Sequence, residues 1–137
     1  MIYEGTITYV TVDKNGNDKN NKCNFIIEQA EMFGEVEKKL YEEFEGHPTL
    51  DVTSIKRSKL REVVNTRSTD KEKVFVVDVA STFIDEDTEE EKVTIYKMAL
   101  YAENYDMAYK RITEYLKQGY SDLEIVSLKK TSFIDIL

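Results

Sequence analysis

Cys23 and His47 are the only cysteine and the only histidine of the chain, so they are its one candidate thiol–imidazole pair. Such a pair works only when the base lies within hydrogen-bond reach of the nucleophile. His47 sits beside Pro48 in a predicted loop, and nothing in the sequence brings Cys23 to it. An ordinary loop histidine is the reading that follows. Carboxylates are plentiful, but none falls in an acid–base spacing, and acidic helix faces are usually solvated. The segment "DKNGND" (13–18) opens like a calcium loop. It fails at the sixth position, Asp18 where glycine is needed, and at the twelfth, Asn24 where glutamate is needed. A hairpin turn explains it better. "DEDTEEE" (85–91) could attract a divalent ion weakly or mimic nucleic-acid phosphates, yet it reads first as a solvated hairpin tip. The five glycines form no phosphate-binding spacing. These residues imply no enzyme, no metal and no cofactor.

One other class of chemistry stands out. "SIKRSKLREVV" (54–64) is echoed by "SLKKTSFIDIL" (127–137). The first phrase carries Lys56, Arg57, Lys59 and Arg61, and the second Lys129 and Lys130. The formal net charge is −8, divided as −3 over residues 1–64 and −5 over 65–137. A negative protein repels nucleic acid and anionic membranes at long range, so contact with either requires a local basic patch. These six residues are the clearest such patches. Nine Tyr and six Phe supply strand aromatics on which unpaired bases can stack. Lys and Arg on an edge strand also prevent unwanted strand pairing, and that reading competes directly. The leading expectation is non-catalytic binding of single-stranded nucleic acid through the paired basic segments. Two others stand beside it: a protein-interaction module whose acidic surface meets a basic partner, and a sponge holding a small anionic nucleotide between two copies of a repeat. A homo-oligomer remains open.

The doubled phrase belongs to a larger duplication. "AEMFGEVEKKLYEEF" (30–44) and "AENYDMAYKRITEYL" (102–116) align without a gap at an offset of 72. Phe33, Val36, Leu40 and Phe44 form one apolar stripe, and Tyr105, Ala108, Ile112 and Leu116 form the other, as amphipathic helices on a sheet require. Gly46 and Gly119 follow as helix stops. Beyond them the offset is 73, where Leu50, Val52, Ser54, Ile55 and Lys56 match Leu123, Ile125, Ser127, Leu128 and Lys129. On this alignment His47 corresponds to Tyr120. Upstream, Tyr3, Ile7 and Tyr9 alternate on one strand face, and Phe75, Val77, Val79 and Phe83 do the same. Asn15-Gly16 is a hairpin-turn signal, since both residues tolerate positive φ. "KCNFII" and "KVTIYKMAL" supply the second strands.

The third strand breaks parity. A regular strand would point Val52 and Ile55 to opposite faces. A bulge near Ser54 would reconcile them. A turn at Arg57-Ser58-Lys59 would instead make two short strands and the order ββ-α-ββββ-α-ββ. The expected fold is α+β: a tandem duplication of a ββαβ(β) unit, an antiparallel sheet with two helices packed on one face. A ferredoxin-like duplicate is the alternative. The expected organisation is a single domain, 1–137, made of repeats 1–64 and 74–137 joined by 65–73. The single cysteine excludes an internal disulfide and favours a reducing compartment. The start "MIYEGTITYV" has no basic leader and no long apolar run, so a cytoplasmic protein with no membrane partner is expected.

"MIYEGTITY", "VTSIKRSKLREV" and "IVSLKKTSFIDIL" resemble an uncharacterised domain family of gut bacteria (Bacteroidetes) and their phages. The resemblance covers nearly the whole chain and carries no catalytic residue, so it implies context more than chemistry. The duplicated strands and helices are also similar in topology to the Whirly, Pur-alpha and positive-coactivator group of single-strand binders. That second likeness implies a sheet surface for nucleic acid.

Overall fold

Alternating apolar residues in β1 (Tyr3–Val12) and an apolar end to β2 (Asp18–Ile27) fold into an antiparallel hairpin. The pattern recurs in β5 (Lys73–Ile84) and β6 (Glu91–Ala102). The computed structural model describes residues 1–119 and 122–137. Each hairpin is followed by a helix, α1 (Phe33–Glu43) or α2 (Tyr105–Lys117). After each helix come a long and a short strand: β3 (Asp51–Arg57) and β4 (Leu60–Val63), then β7 (Glu124–Lys130) and β8 (Phe133–Ile136). The protein is α+β, with the ββ-α-ββββ-α-ββ order that a turn at residues 57–59 allows. Among the described residues, no helix is long and apolar enough to cross a membrane.

The strands form two sheets of four, ordered β3-β1-β2-β8 and β4-β6-β5-β7, with one helix on each. The pairing is reciprocal. β4 follows β3 in sequence but pairs with β6, and β8 follows β7 but pairs with β2. These are the two parallel pairings; the others are antiparallel. The chain therefore divides into two compact units, residues 1–59 with 132–137 and residues 60–131. The short strands are pinned alike. Leu137 N–H donates to Ile26 O at 2.7 Å, and Val64 N–H donates to Ala99 O at 2.8 Å.

In the first unit Tyr3, Ile7, Phe25 and Ile27 meet Val36 and Leu40 of α1. In the second, Phe75, Val77, Val79, Met98 and Leu100 meet Ala108, Ile112 and Leu116 of α2. Each fully buried Leu or Ile contributes about 2 kcal/mol of transfer free energy. The first residue of each apolar stripe departs from expectation. Phe33 is 50% and Tyr105 53% exposed. Each lies edge-on to a strand ring instead, Phe33 to Tyr3 at 5.3 Å and Tyr105 to Phe75 at 5.1 Å. A cation on each helix reaches back to the preceding segment: Lys39 Nζ donates to Gln29 O at 2.5 Å, and Arg111 to Tyr101 O at 2.7 Å. Only α2 has a side-chain cap, Asn104 accepting from Met107 N–H at 2.8 Å. At α1 the Glu35 carboxylate accepts from Glu31 N–H at 2.8 Å.

The hairpin loops also differ from the two-residue turn that Asn15-Gly16 suggests. Val12 pairs with Asp18, so the loop spans 13–17, and only Gly16 in it has positive φ (81°). Asp13 accepts from Asn15 and Asn17 N–H at 2.8 and 2.9 Å, which spends the carboxylate on the turn itself. Asp85 does the same in the second loop, accepting from Asp87 and Thr88 N–H and pairing with Lys92 at 2.8 Å. The Lys92 ammonium and these two backbone donors hold the Asp85 carboxyl below its ordinary pKa. Gly46, at φ 95°, supports the helix-stop reading, because L side chains rarely adopt that conformation.

Gly5 lies under α1, where an added Cβ would stand 2.6 Å from Leu40 Cδ1. The equivalent position in the second copy is Val77, opposite register partner Met98. Gly5→Val should overpack the first core and cost about 2 kcal/mol. Urea unfolding that shows no loss would contradict this packing.

Candidate nucleic-acid interface

The parity problem in the third strand is solved by a bulge. Thr6 faces Ser54 and Ile7 faces Val52, which leaves Thr53 as the extra residue. The second copy repeats it: Asp78 faces Ser127, Val79 faces Ile125, and Val126 is extra. The bulge puts both Val52 and Ile55 against the first core. Ser54 and Lys56 then point away from α1, because side chains alternate along the strand. Register places Glu4 opposite Lys56 and Thr8 opposite Lys22 on that same helix-free face.

There the first unit holds a cleft of ≈ 470 Å³, lined by Lys22, Lys56, Asn24, Ser54, Glu4 and Phe133 among others. Its floor is a hydrogen-bonded chain. Thr6 Oγ1 donates to Asn24 Oδ1 at 2.9 Å, and Asn24 Nδ2 donates to Ser132 Oγ at 3.2 Å. Lys56 Nζ lies 3.7 Å from Glu4 Oε2, with the lysine side chain 70% exposed. Such a pair is weak in water and leaves the ammonium accessible.

The six basic residues divide three and three between the units. Lys56 lies in the cleft. Arg57 is exposed at the end of β3, opposite Tyr3, and by alternation it faces the other way. Lys59 is exposed in the link between β3 and β4. In the second unit, Lys129 stands opposite Val76, the position equivalent to Lys56 opposite Glu4. Lys130 and Lys73 are close enough that hydrogen bonding and charge repulsion from Lys130 lower the Lys73 pKa. Arg61 is stacked 4.1 Å from the Tyr96 ring centroid, which occupies its planar face. The doubled phrase thus places Lys56 and Lys129 at matching positions, and Arg57 and Lys130 likewise. Lys59 and Arg61 correspond to Ser132 and Ile134 and have no basic counterpart. Sequence reasoning missed Lys22, which the β1–β2 register puts on the same face as Lys56, lining the same cleft.

Other candidate chemistry takes a different form. The His47 ring is 5.0 Å from that of Tyr9. Tyr9 in turn is engaged by Cys23, whose charge and hydrogen bond raise the Tyr9 pKa. A tyrosine thus contacts both members of the candidate pair. Tyr120, the expected counterpart of His47, lies outside the described residues. Among the described residues, no three His, Cys, Asp or Glu side chains are grouped to hold a metal ion.

Glu72 is the buried ionised group that the sequence did not announce. It is 2% exposed, and its Oε2 lies 2.6 Å from Arg111. Oε1 accepts from Ser68 N–H at 2.6 Å. Burial pushes its pKa up, but the Ser68 backbone donor, the Arg111 guanidinium and the Thr69 backbone donor outweigh burial and hold it below the ordinary value. This pair fastens the inter-repeat segment to α2, so its role is structural. A depressed carboxyl contributes stability above the unfolded pKa and loses it as pH falls through the folded pKa. Glu72→Gln should therefore cost about 3 kcal/mol at pH 7. The gap from the parent should narrow below the ordinary glutamate value of 4.5. Thermal melts at both pH values that keep the same gap would refute the assignment.

The chain belongs to the family described as Domain of unknown function (DUF4494), which it matches over residues 1–137. No curated protein matches it.

Proposed function

We propose that the protein binds single-stranded nucleic acid without catalysis, using the helix-free sheet face of its first unit. The observation that carries this reading is the cleft in which Lys22 and Lys56 flank neutral hydrogen-bonding groups and the Phe133 ring. Lysines suit phosphates, Asn24 and Ser54 suit base edges or sugar hydroxyls, and an aromatic ring offers a stacking surface. Lys56 is the central phosphate ligand. Arg57 and Lys59, exposed at the end of β3 and in the link after it, add positive charge to the first unit. Lys129 and Lys130, at the equivalent positions of the second copy, and Arg61 on β4 are the second unit's own basic groups for such contacts. A helix on one face of each sheet also fits the likeness to Whirly-type single-strand binders. The resemblance to a family of gut bacteria and their phages suggests phage or mobile-element DNA metabolism in the cytoplasm.

The cleft volume of ≈ 470 Å³ favours one further reading, a single anionic nucleotide held in the same place. Both readings use Lys22 and Lys56, and competition by mononucleotide separates them.

Fluorescence anisotropy with a labelled single-stranded oligonucleotide at low salt tests the proposal. Binding in the micromolar range is expected, weakening as salt rises. Lys22→Glu with Lys56→Glu should weaken it at least about tenfold, and each lost phosphate contact should reduce the salt slope by about 0.7. Glu4→Gln should tighten it, because the carboxylate now competes for Lys56. No binding at about 50 μM protein would end the proposal.

A further inference from the structure

The two hairpins present different chemistry on the same face. In β5 and β6, Ala80 pairs with Ile95, Thr82 with Val93, and Ile84 with Glu91. These residues alternate with the core-facing Val77, Val79 and Met98, so they lie on the helix-free side of the second sheet. Ile84 is 69%, Val93 58% and Ile95 48% exposed. The fold does not demand apolar side chains there. The positions equivalent to Val93 and Ile95 in β2 are Asn20 and Lys22, and that strand forms all the same. Contiguous exposed apolar side chains with no structural requirement mark a contact surface.

Charge identifies the occupant. The patch runs outward into the loop 85–90, where Glu86, Asp87, Glu89 and Glu90 are exposed, followed by Glu91 at the start of β6. Lys92 is committed to Asp85 at 2.8 Å. Inward, the patch ends at the Asp78–Lys97 ion pair of 3.0 Å, which is internally neutralised. An apolar strip with an acidic outer rim complements an apolar segment flanked by Lys or Arg. We propose that this face of the β5–β6 hairpin docks a basic amphipathic segment of another protein. The site belongs to the second unit, shares no residue with the first-unit cleft and goes beyond the nucleic-acid reading, since its chemistry repels phosphate.

The probe is a synthetic amphipathic helix of about 14 residues with a Leu face and Lys flanks, long enough to span the strip. Two control peptides replace Lys by Glu, or Leu by Ser. Calorimetry with the full chain should show salt-sensitive binding of the Leu/Lys peptide and at least about tenfold weaker binding of both controls. Val93→Ser with Ile95→Ser should weaken it about tenfold, with the melting temperature unchanged because both side chains are exposed. Glu86→Lys with Glu90→Lys should weaken it independently, a second route that leaves the strands untouched. Absence of binding, equal binding of the Leu/Glu peptide, or insensitivity to both pairs of substitutions overturns the proposal. So does concentration-dependent dimerisation that the Val93 and Ile95 substitutions abolish, for the occupant would then be a second copy.

Discussion

Each sheet needs a strand that its own repeat does not supply. The outer edges of β2 and β6 carry backbone N–H and C=O groups that must find partners if they are to be buried. β8 satisfies the first and β4 the second, each arriving from the other repeat. Two half-domains that would otherwise be separable in sequence are thereby completed reciprocally. The pinning bonds at Leu137 and Val64 are equivalent, so the exchange is part of the repeated design. The same exchange brings Ser132 to Asn24 and Phe133 to the cleft wall.

Within that shared frame the copies have diverged by exchanging side chains at fixed register. Thr6 and Asn24 share a neutral hydrogen bond where Asp78 and Lys97 form an ion pair. Gly5 leaves room for Leu40, whereas its counterpart is Val77. Lys22 lines a polar cleft, while Ile95 lies in an apolar strip. A duplicated scaffold can hold both because exposed positions on the helix-free faces, such as those of Lys22 and Ile95, are not needed by either core. Two of these three differences, at Thr6 with Asn24 and at Lys22, lie on the helix-free faces.

The helices, their Gly stops and both hairpins were legible because apolar periodicity is dictated by burial on one side. The bulge was legible from Val52 and Ile55, since two apolar residues of opposite parity must be reconciled. The strand exchange was not. "LREV" and "FIDI" alternate equally well beside any open edge, and pairing partners are set by long-range geometry. Phe33 and Tyr105 misled for a related reason: a stripe at helical spacing does not say where along the helix the sheet stops. Lys56 could be singled out because acids are absent around it in sequence. Its companions Lys22 and Glu4 could not, since cross-strand register decides them. The Glu72–Arg111 pair was invisible because it joins a linker to a helix 39 positions away, with no spacing rule to link them.

The reciprocal pairing also sets a clock on biosynthesis. Asn24 and Ser132 are 108 residues apart. At ribosomal speeds, about 5 to 20 s pass between the emergence of β2 and that of its neighbour β8. Throughout that interval the nascent hairpin offers an open edge to other chains. β8 covers only Asn24 to Ile26 of that edge; the outer stretch, Asp18-Lys19-Asn20-Asn21-Lys22, is poor in residues that favour intermolecular pairing and rich in those that discourage it. The polar outer half of β2 therefore discourages edge pairing both during translation and after the late strand has closed over the inner half.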